Sequence, residues 1–484
     1  MNRRWMAAIL LMGLLALMLP ETALAEGRKL TVLVYMCASD LESEAGLASD
    51  DLQEMLDSGV GMSKDVEILV ATGGTREWRR FDISADEVEY YRVDGDRLAR
   101  LKIVGKRSMG STATLSNFLK YGIAQAPAER YMLILWDHGG GPVHGICNDE
   151  NYDGDPLTLE EMRKALAGGL GGRRLDILAF DACLMNSIDT CVYSEEFADY
   201  IVASQELVSG SGLNYAAWLK PLVETPDMAA EDVARHMAGS YIDENDLGRR
   251  WETATMSVID AAKVPALEQA AEDFSAALSR KLEEVPGEVA RLRGDLMSFG
   301  EFADDVATDL VDIGALCGAF GEMLPDESAA LMRAAGEAVV YSGATRDLTS
   351  QTSGLSFFMP YSTIRDEGWD ILKAYDVREG SYAALAVKMA LTLTMNGLLP
   401  SAPPGDEDRE GLEQLWEALF DSHVDSREDE ALLSGIWHGM EAIDSLWPGK
   451  PAPEVPDIWA GYGGGEAEAD VDIWAGFMEY DPAS

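Results

Sequence analysis

Two short apolar runs, Tyr131–Trp136 (YMLILW) and Leu175–Phe180 (LDILAF), constrain this chain more than any other feature. Each is bounded and rich in Leu, Ile and aromatics, as expected of strands buried on both faces of a parallel sheet. The segment between them, LTLEEMRKAL, has the pattern of a crossover helix. Each run delivers a reactive side chain just past its carboxyl end: His138 after the first, Cys183 after the second. Ligands of open α/β sheets bind outside those ends, so two neighbouring strands would bring a nucleophile to its base. Either residue also has a plainer reading, the histidine as a hydrogen-bonded structural group and the cysteine as a small hydrophobe. Three glycines, Gly139, Gly140 and Gly141, favour the chemical reading, because they let backbone approach a ligand closely.

The histidine lies 45 residues upstream of the cysteine, close to the spacing of about 50 in caspase-type sequences. WDHGGG followed by DACLMNS resembles the clostripain family of cysteine peptidases, within the caspase and legumain clan. VYMCASDLE, ASQELVSGSGLNYAAWL and SGLSFFMP fit the same family, and the likeness runs over roughly residues 28 to 395. It implies a caspase-like three-layer α/β/α sandwich with a mostly parallel central sheet. It also implies a secreted endopeptidase in which Cys183 attacks a peptide carbonyl and His138 serves the leaving amine and then water. The backbone N–H groups of Gly139 and Cys183 would form the oxyanion hole. Asp181 would lie at the S1 pocket and select Arg over Lys by bidentate pairing, with Ser204, Gln205 and Glu206 as a pocket wall. The family pattern requires no third orienting residue. Family members are often cut between the histidine and the cysteine, where Arg163, Lys164, Arg173 and Arg174 are available; ordinary surface charge also explains those residues.

The thiol would be activated by His138 and by a helix beginning at Met185, just after Cys183. Asp181 also reads as an N-cap for that helix. The chemistry requires no cofactor, but Asp149, Asn151, Asp153, Gly154 and Glu160 match every specified position of the calcium-loop pattern. Calcium activation occurs in clostripain-like enzymes, which makes the ion a candidate ligand. Against it, no helix precedes the loop and Pro156 sits where an apolar strand residue belongs; a plain turn into a helix capped by Thr158 and Glu161 is the preferred reading. His138, His144 and Cys147 lack the fourth ligand that a closed zinc site needs.

The first 25 residues read as a secretory signal: Arg3 and Arg4, an apolar run from Met6 to Met18, and Ala23-Leu24-Ala25 before the cut. No other segment is expected to cross a bilayer. Net charge is −47, which disfavours nucleic acid as a partner; it favours basic ligands at low ionic strength, although plain solubility is the preferred reading, and the family resemblance implies peptide or protein substrates with basic residues. Five cysteines are too few and of the wrong parity for a disulfide framework. Strands are expected at Leu30–Tyr35, Val66–Ala71, Thr255–Asp260 and Ser356–Met359. Helices are expected at Leu41–Leu56, with a Ser39/Glu42 capping box, from Ser111 or Thr112 to Ile123, and at Val264–Leu282, Leu310–Phe320, Ala329–Val340 and Trp369–Leu393. Val88–Val104 reads as a hairpin outside the main sheet. The domain reading is a catalytic core over 26–260, the carboxyl-terminal part of the peptidase over 261–396 and an acidic tail over 397–484. From Ser401 onward there are 21 acids and three bases, and Asp457-Ile-Trp-Ala-Gly-Tyr recurs as Asp472-Ile-Trp-Ala-Gly-Phe. That composition reads as disordered, with tryptophans placed to dock a partner. Two other functions fit less of the chain: an inactive binding protein on the same fold that works through this tail, and a calcium-dependent adhesin-like module.

Overall fold

Successive residues of the apolar runs divide between two faces, and both faces are covered. Leu133, Leu135, Leu178 and Phe180 enter one core; Met132, Ile134, Trp136, Ile177 and Ala179 enter the other. Burial on both sides is why the runs lack the polar alternation of a surface sheet. The computed structural model describes residues 28–246, 253–300, 308–346, 348, 352–361 and five positions between 385 and 392. The signal, the tail and most of the Trp369–Leu393 segment lie outside the described residues.

The strands are β1 (Arg28–Cys37), β2 (Val66–Gly73), β3 (Val88–Asp94), β4 (Arg97–Gly105), β5 (Ala128–Trp136), β6 (Ile146–Asp149), β7 (Asp155–Leu157), β8 (Leu175–Asp181), β9 (Ala198–Ala203), β10 (Thr255–Asp260), β11 (Ser298–Phe299), β12 (Leu310–Asp312), β13 (Val339–Ala344) and β14 (Ser356–Phe358). Nine of them form one sheet in the order β13-β10-β9-β8-β5-β1-β2-β3-β4. Its five central strands are parallel, and only β3 and β10 run against the rest. From β1 the chain steps outward to β2, then returns through β5 to build the other half. The order therefore reverses between β1 and β5, and a crevice is expected outside their carboxyl ends.

The principal helices are α1 (Ser39–Ser43), α2 (Leu47–Asp57), α3 (Thr112–Gln125), α4 (Gly141–His144), α5 (Leu159–Leu170), α6 (Ile188–Ser194), α7 (Tyr215–Glu224), α8 (Ala230–Asp246), α9 (Val264–Glu284), α10 (Pro286–Gly294), α11 (Ile313–Phe320) and α12 (Pro325–Ala338). α2, α7 and α8 cover one face of the sheet; α3, α5, α6, α9, α11 and α12 cover the other. The result is a three-layer α/β/α sandwich. A small antiparallel sheet, β11-β12-β14, packs beside it, stitched by a fully buried Arg293–Asp309 ion pair at 2.8 Å.

Several elements differ from the sequence reading. The Val88–Val104 hairpin pairs with β2 and so extends the main sheet. Leu41–Leu56 is two helices, broken at Gly46, which is left-handed at φ 74°. The Ser39/Glu42 capping box does not form: Glu42 accepts from the N–H and hydroxyl of Ser49 and from Arg79, while Ser39, at φ 42°, turns its hydroxyl to Asp137. Leu310–Phe320 splits into strand β12 and α11, capped by Asp312. The helix after Cys183 begins at Ile188, where Ser187 caps it by accepting from Thr190. Neither the N-cap role of Asp181 nor a helix start beside Cys183 survives, and the activation expected from that helix goes with them.

Candidate active site

β5 and β8 are neighbours, and their last paired rung is Trp136↔Asp181. One residue on, the N–H of Asp137 donates to the carbonyl of Asp181 at 3.3 Å. His138 and Cys183 therefore leave adjacent strands at the same level. A side-chain carbon on Gly139 would stand 2.3 Å from the Cys183 carbonyl oxygen, so the two exits touch only because that residue is glycine. Leu184, directly after the cysteine, is left-handed at φ 63°, an uncommon state for a side chain of this kind. The turn is held by its N–H donating to the Glu206 carbonyl at 3.2 Å.

His138 is nearly buried, at 4% exposure, and its Nε2 lies 2.7 Å from Oδ1 of Asp40. Burial alone would raise the Asp40 carboxyl, but the adjacent imidazole and the Ser39 hydroxyl outweigh it and hold the group below its ordinary value. Cys183 is half-buried and is the one cysteine of the five that is not fully buried. Its sulfur accepts the Val208 N–H at 3.2 Å. Burial pushes the thiol up to about 12; the Val208 N–H works the other way, and the carboxylates of Glu206, Asp181 and Asp137 add to the rise. In this conformation the sulfur is a protonated thiol at neutral pH.

Asp181 is buried and accepts from the Leu213 N–H and the Tyr215 hydroxyl, both at 3.0 Å. Asp51 of α2 lies beside it, accepting from the Trp136 indole at 2.6 Å. A Cβ on Gly212 would fall 2.9 Å from an Asp51 oxygen and 3.1 Å from both Asp181 oxygens, so the 209–213 loop sits directly on the pair. Burial raises both carboxyls, and for Asp51 the neighbouring Asp181 charge adds to the rise. Each carboxylate's charge disfavours ionisation of the other. Glu54 stands close by, raised to about 7 by burial and by Glu244.

Ser204 and Gln205, expected with Glu206 as a pocket wall, have their side-chain polar groups engaged by other residues, while the Glu206 carboxylate lies close enough to Cys183 to raise its thiol. Ser204 pairs with Thr255; the Gln205 amide donates to Asp312 and Ser356 and accepts from Gly354; Glu206 accepts from Leu207 and Gly300. Together with Asn186, which donates to the Gly354 carbonyl, they clamp SGLSFFMP behind the cysteine turn. Their work is to fix the loops that carry Cys183 and Val208.

The acidic loop forms the small β6-β7 hairpin. Asp149 accepts from Met109 and Asn151, the Asn151 amide donates to the carbonyls of Thr75 and Ala85, and Glu160 pairs with Arg163 and Lys164. These oxygens are directed to different neighbours, and among the described residues no group of three or more His, Cys, Asp or Glu side chains converges on a metal position. The site residues therefore do not fit a calcium ion in this arrangement. The Thr158–Glu161 capping box, the other reading of the segment, is present. The residues that sequence reasoning missed are Asp40, Asp51 and Val208. For Asp40 the available signal was a carboxylate just past the end of the first buried strand, inside VYMCASDLE.

Comparison with known proteins places this geometry. The clostripain-family model, Peptidase C11, matches residues 34–387. Clostripain of Hathewaya histolytica is 23% identical over 406 residues, covering 69% of this chain and 75% of that protein. An inactive zymogen C11 protease from Parabacteroides distasonis superposes with a TM-score of 0.56 at 19% identity, over 74% of this chain and 98% of that one. A secreted C11 cysteine protease from Bacteroides thetaiotaomicron, bound to an irreversible peptide inhibitor, gives 0.51 at 18% identity, over 72% and 99%. The fold is the caspase-like α/β sandwich of these peptidases. With the family match spanning most of its length, the chain belongs to the clostripain family of cysteine peptidases.

Proposed function

We propose that the chain is an exported endopeptidase that cuts after basic residues, Arg in preference to Lys, with Cys183 as nucleophile and His138 as acid and base. The observation that carries this reading is the meeting of the His138 and Cys183 strand exits next to the buried Asp181 and Asp51 carboxylates. Cys183 passes its proton to His138 as sulfur adds to the peptide carbonyl, and the imidazolium gives that proton to the leaving amine. Water, deprotonated by the same imidazole, then cleaves the thioester and regenerates the thiol. The N–H groups of Gly139 and Cys183 hold the oxyanion; removing one such donor costs about 2.7–4 kcal/mol of transition-state stabilisation.

Selection of a basic side chain rests on Asp181 with Asp51 beside it. A guanidinium supplies the cation that lets both carboxyls ionise, and its flat fork suits two acceptors better than an ammonium does. Because Gly212 sits on the pair and Val208 holds the sulfur, the 208–213 loop has to lift for a substrate to enter. Export is supported by the signal-like first 25 residues and by the secreted Bacteroides thetaiotaomicron relative. The acidic, tryptophan-bearing tail serves as a docking segment.

Fluorogenic peptides bearing Arg, Lys or Asp at the cleavage position test the reading. Hydrolysis is expected in the order Arg, Lys, with Asp uncut, and Cys183→Ala abolishes it. An Arg preference that survives Asp181→Asn would remove Asp181 from the pocket.

A further inference from the structure

β1 and β5 are paired through Met36↔Trp136, and the residues just beyond that rung form a double clasp. Ser39 Oγ donates to Oδ1 of Asp137 at 2.5 Å, and Asp40 Oδ1 meets His138 Nε2 at 2.7 Å. Two consecutive residues leaving one strand thus grip two consecutive residues leaving the next. The left-handed backbone of Ser39 opens the turn that aims both side chains at β5. The imidazole is 4% exposed and the Asp40 side chain 21%, so the contact is largely shielded from solvent. We propose that Asp40 is the positioning residue for His138: it fixes the ring through Nε2 and stabilises the imidazolium formed during attack.

The proposal rests on the peptidase reading above, but its physical content is separable from it. A ring held by one nitrogen has a defined tautomer and plane, which a loosely placed imidazole lacks. An opposite charge in contact favours the protonated ring, typically by 1–3 pKa units. Charged groups beside the ring include Asp40 from α1 and Asp137 from its own segment. Asp137 is itself raised to about 7, mainly by burial, so Asp40 is the group that carries charge throughout the working range.

The test compares wild type, Asp40→Asn, Asp40→Ala and Asp40→Glu on an Arg peptide, with melting temperatures. It adds an NMR titration of the His138 ring in Cys183→Ala and in the Asp40→Asn/Cys183→Ala double variant. Asp40→Asn and Asp40→Ala are expected to lower kcat by about ten- to a hundred-fold, less than for a fully buried triad carboxylate. KM should stay within about threefold, the melting temperature within about 2 °C, and Asp40→Glu should recover part of the rate. In the double variant the ring should titrate about one unit or more lower. A kcat for Asp40→Asn within threefold of wild type, or an unmoved ring titration, overturns the proposal. A wild-type enzyme that cuts no peptide refutes the peptidase reading instead, and the ring titration still decides the role of Asp40.

Discussion

The arrangement of Cys183 makes a quantitative claim about its reactivity at rest. Its thiol is pushed up to about 12 against an ordinary 9.0, so the thiolate fraction at neutral pH is about a thousandfold below that of an exposed cysteine. A more basic sulfur is a better nucleophile once ionised; with a Brønsted slope of about 0.4–0.5, three units return a factor of about twenty. The net expectation is alkylation about fiftyfold slower than for a free peptide thiol, before any loss from restricted access. Iodoacetamide labelling of the full chain between pH 5 and 10, read at Cys183 by peptide mass mapping, measures this directly. The other four cysteines are fully buried and serve as internal references. The rate should climb tenfold per pH unit without levelling off below pH 10. A plateau at neutral pH would mean that the resting sulfur is already a thiolate, which would refute the burial and neighbouring carboxylates as the forces that set its resting state. If the climb is observed, activation belongs to the substrate complex, where lifting of the loop frees the sulfur to exchange its proton with His138.

Two further outcomes test the surroundings. Asp137, 3% exposed, is raised from 3.8 to about 7 by burial, against the opposing pull of His138 and Ser39. The folded chain therefore keeps a proton that the unfolded chain loses near pH 4, and stability falls by up to about 4 kcal/mol as pH rises from about 4 to about 7. In a Cys183→Ala background, Asp137→Asn should flatten this part of the denaturation midpoint against pH; parallel curves for the two proteins would remove the assignment. Because Asp149, Asn151 and Glu160 are directed to separate neighbours, chelation by EGTA should change neither peptide hydrolysis nor melting temperature. A calcium-dependent rise in melting temperature would restore the acidic loop as a site.

Which parts of this molecule were legible in its sequence follows from the range over which each is determined. β5 and β8 were legible because burial on both faces leaves a continuous apolar run, and the reactive residues were legible because they stand at the ends of those runs. The Ser111 and Thr158 caps are local and were readable as such. The Ser39/Glu42 box has the right spacing, yet Ser39 and Glu42 find better partners in Asp137, Ser49 and Arg79, two of them far along the chain. Local pattern competes there with tertiary hydrogen bonds and loses. The same competition explains the start of α6: Ser187 caps it only because Asn186 and Ser356 first fix the turn after Cys183.

Ser204–Glu206 shows the limit most sharply. Their position at the end of β9 suggested a pocket wall, but the Ser204 and Gln205 side chains are held by Thr255, Asp312, Ser356 and Gly354. Buried polar groups must be satisfied somewhere, and Asp312, Ser356 and the Gly354 and Gly300 backbones meet part of that need. Asp40 is the converse case. VYMCASDLE shows a carboxylate just past a buried strand, but its pairing with a histidine 98 residues away follows only once β1 is known to lie beside β5. A reader of sequence alone finds the candidate nucleophile and base, since each sits at the end of its own strand. The atoms that hold them come from neighbouring strands, and they become visible only when the strand order is known.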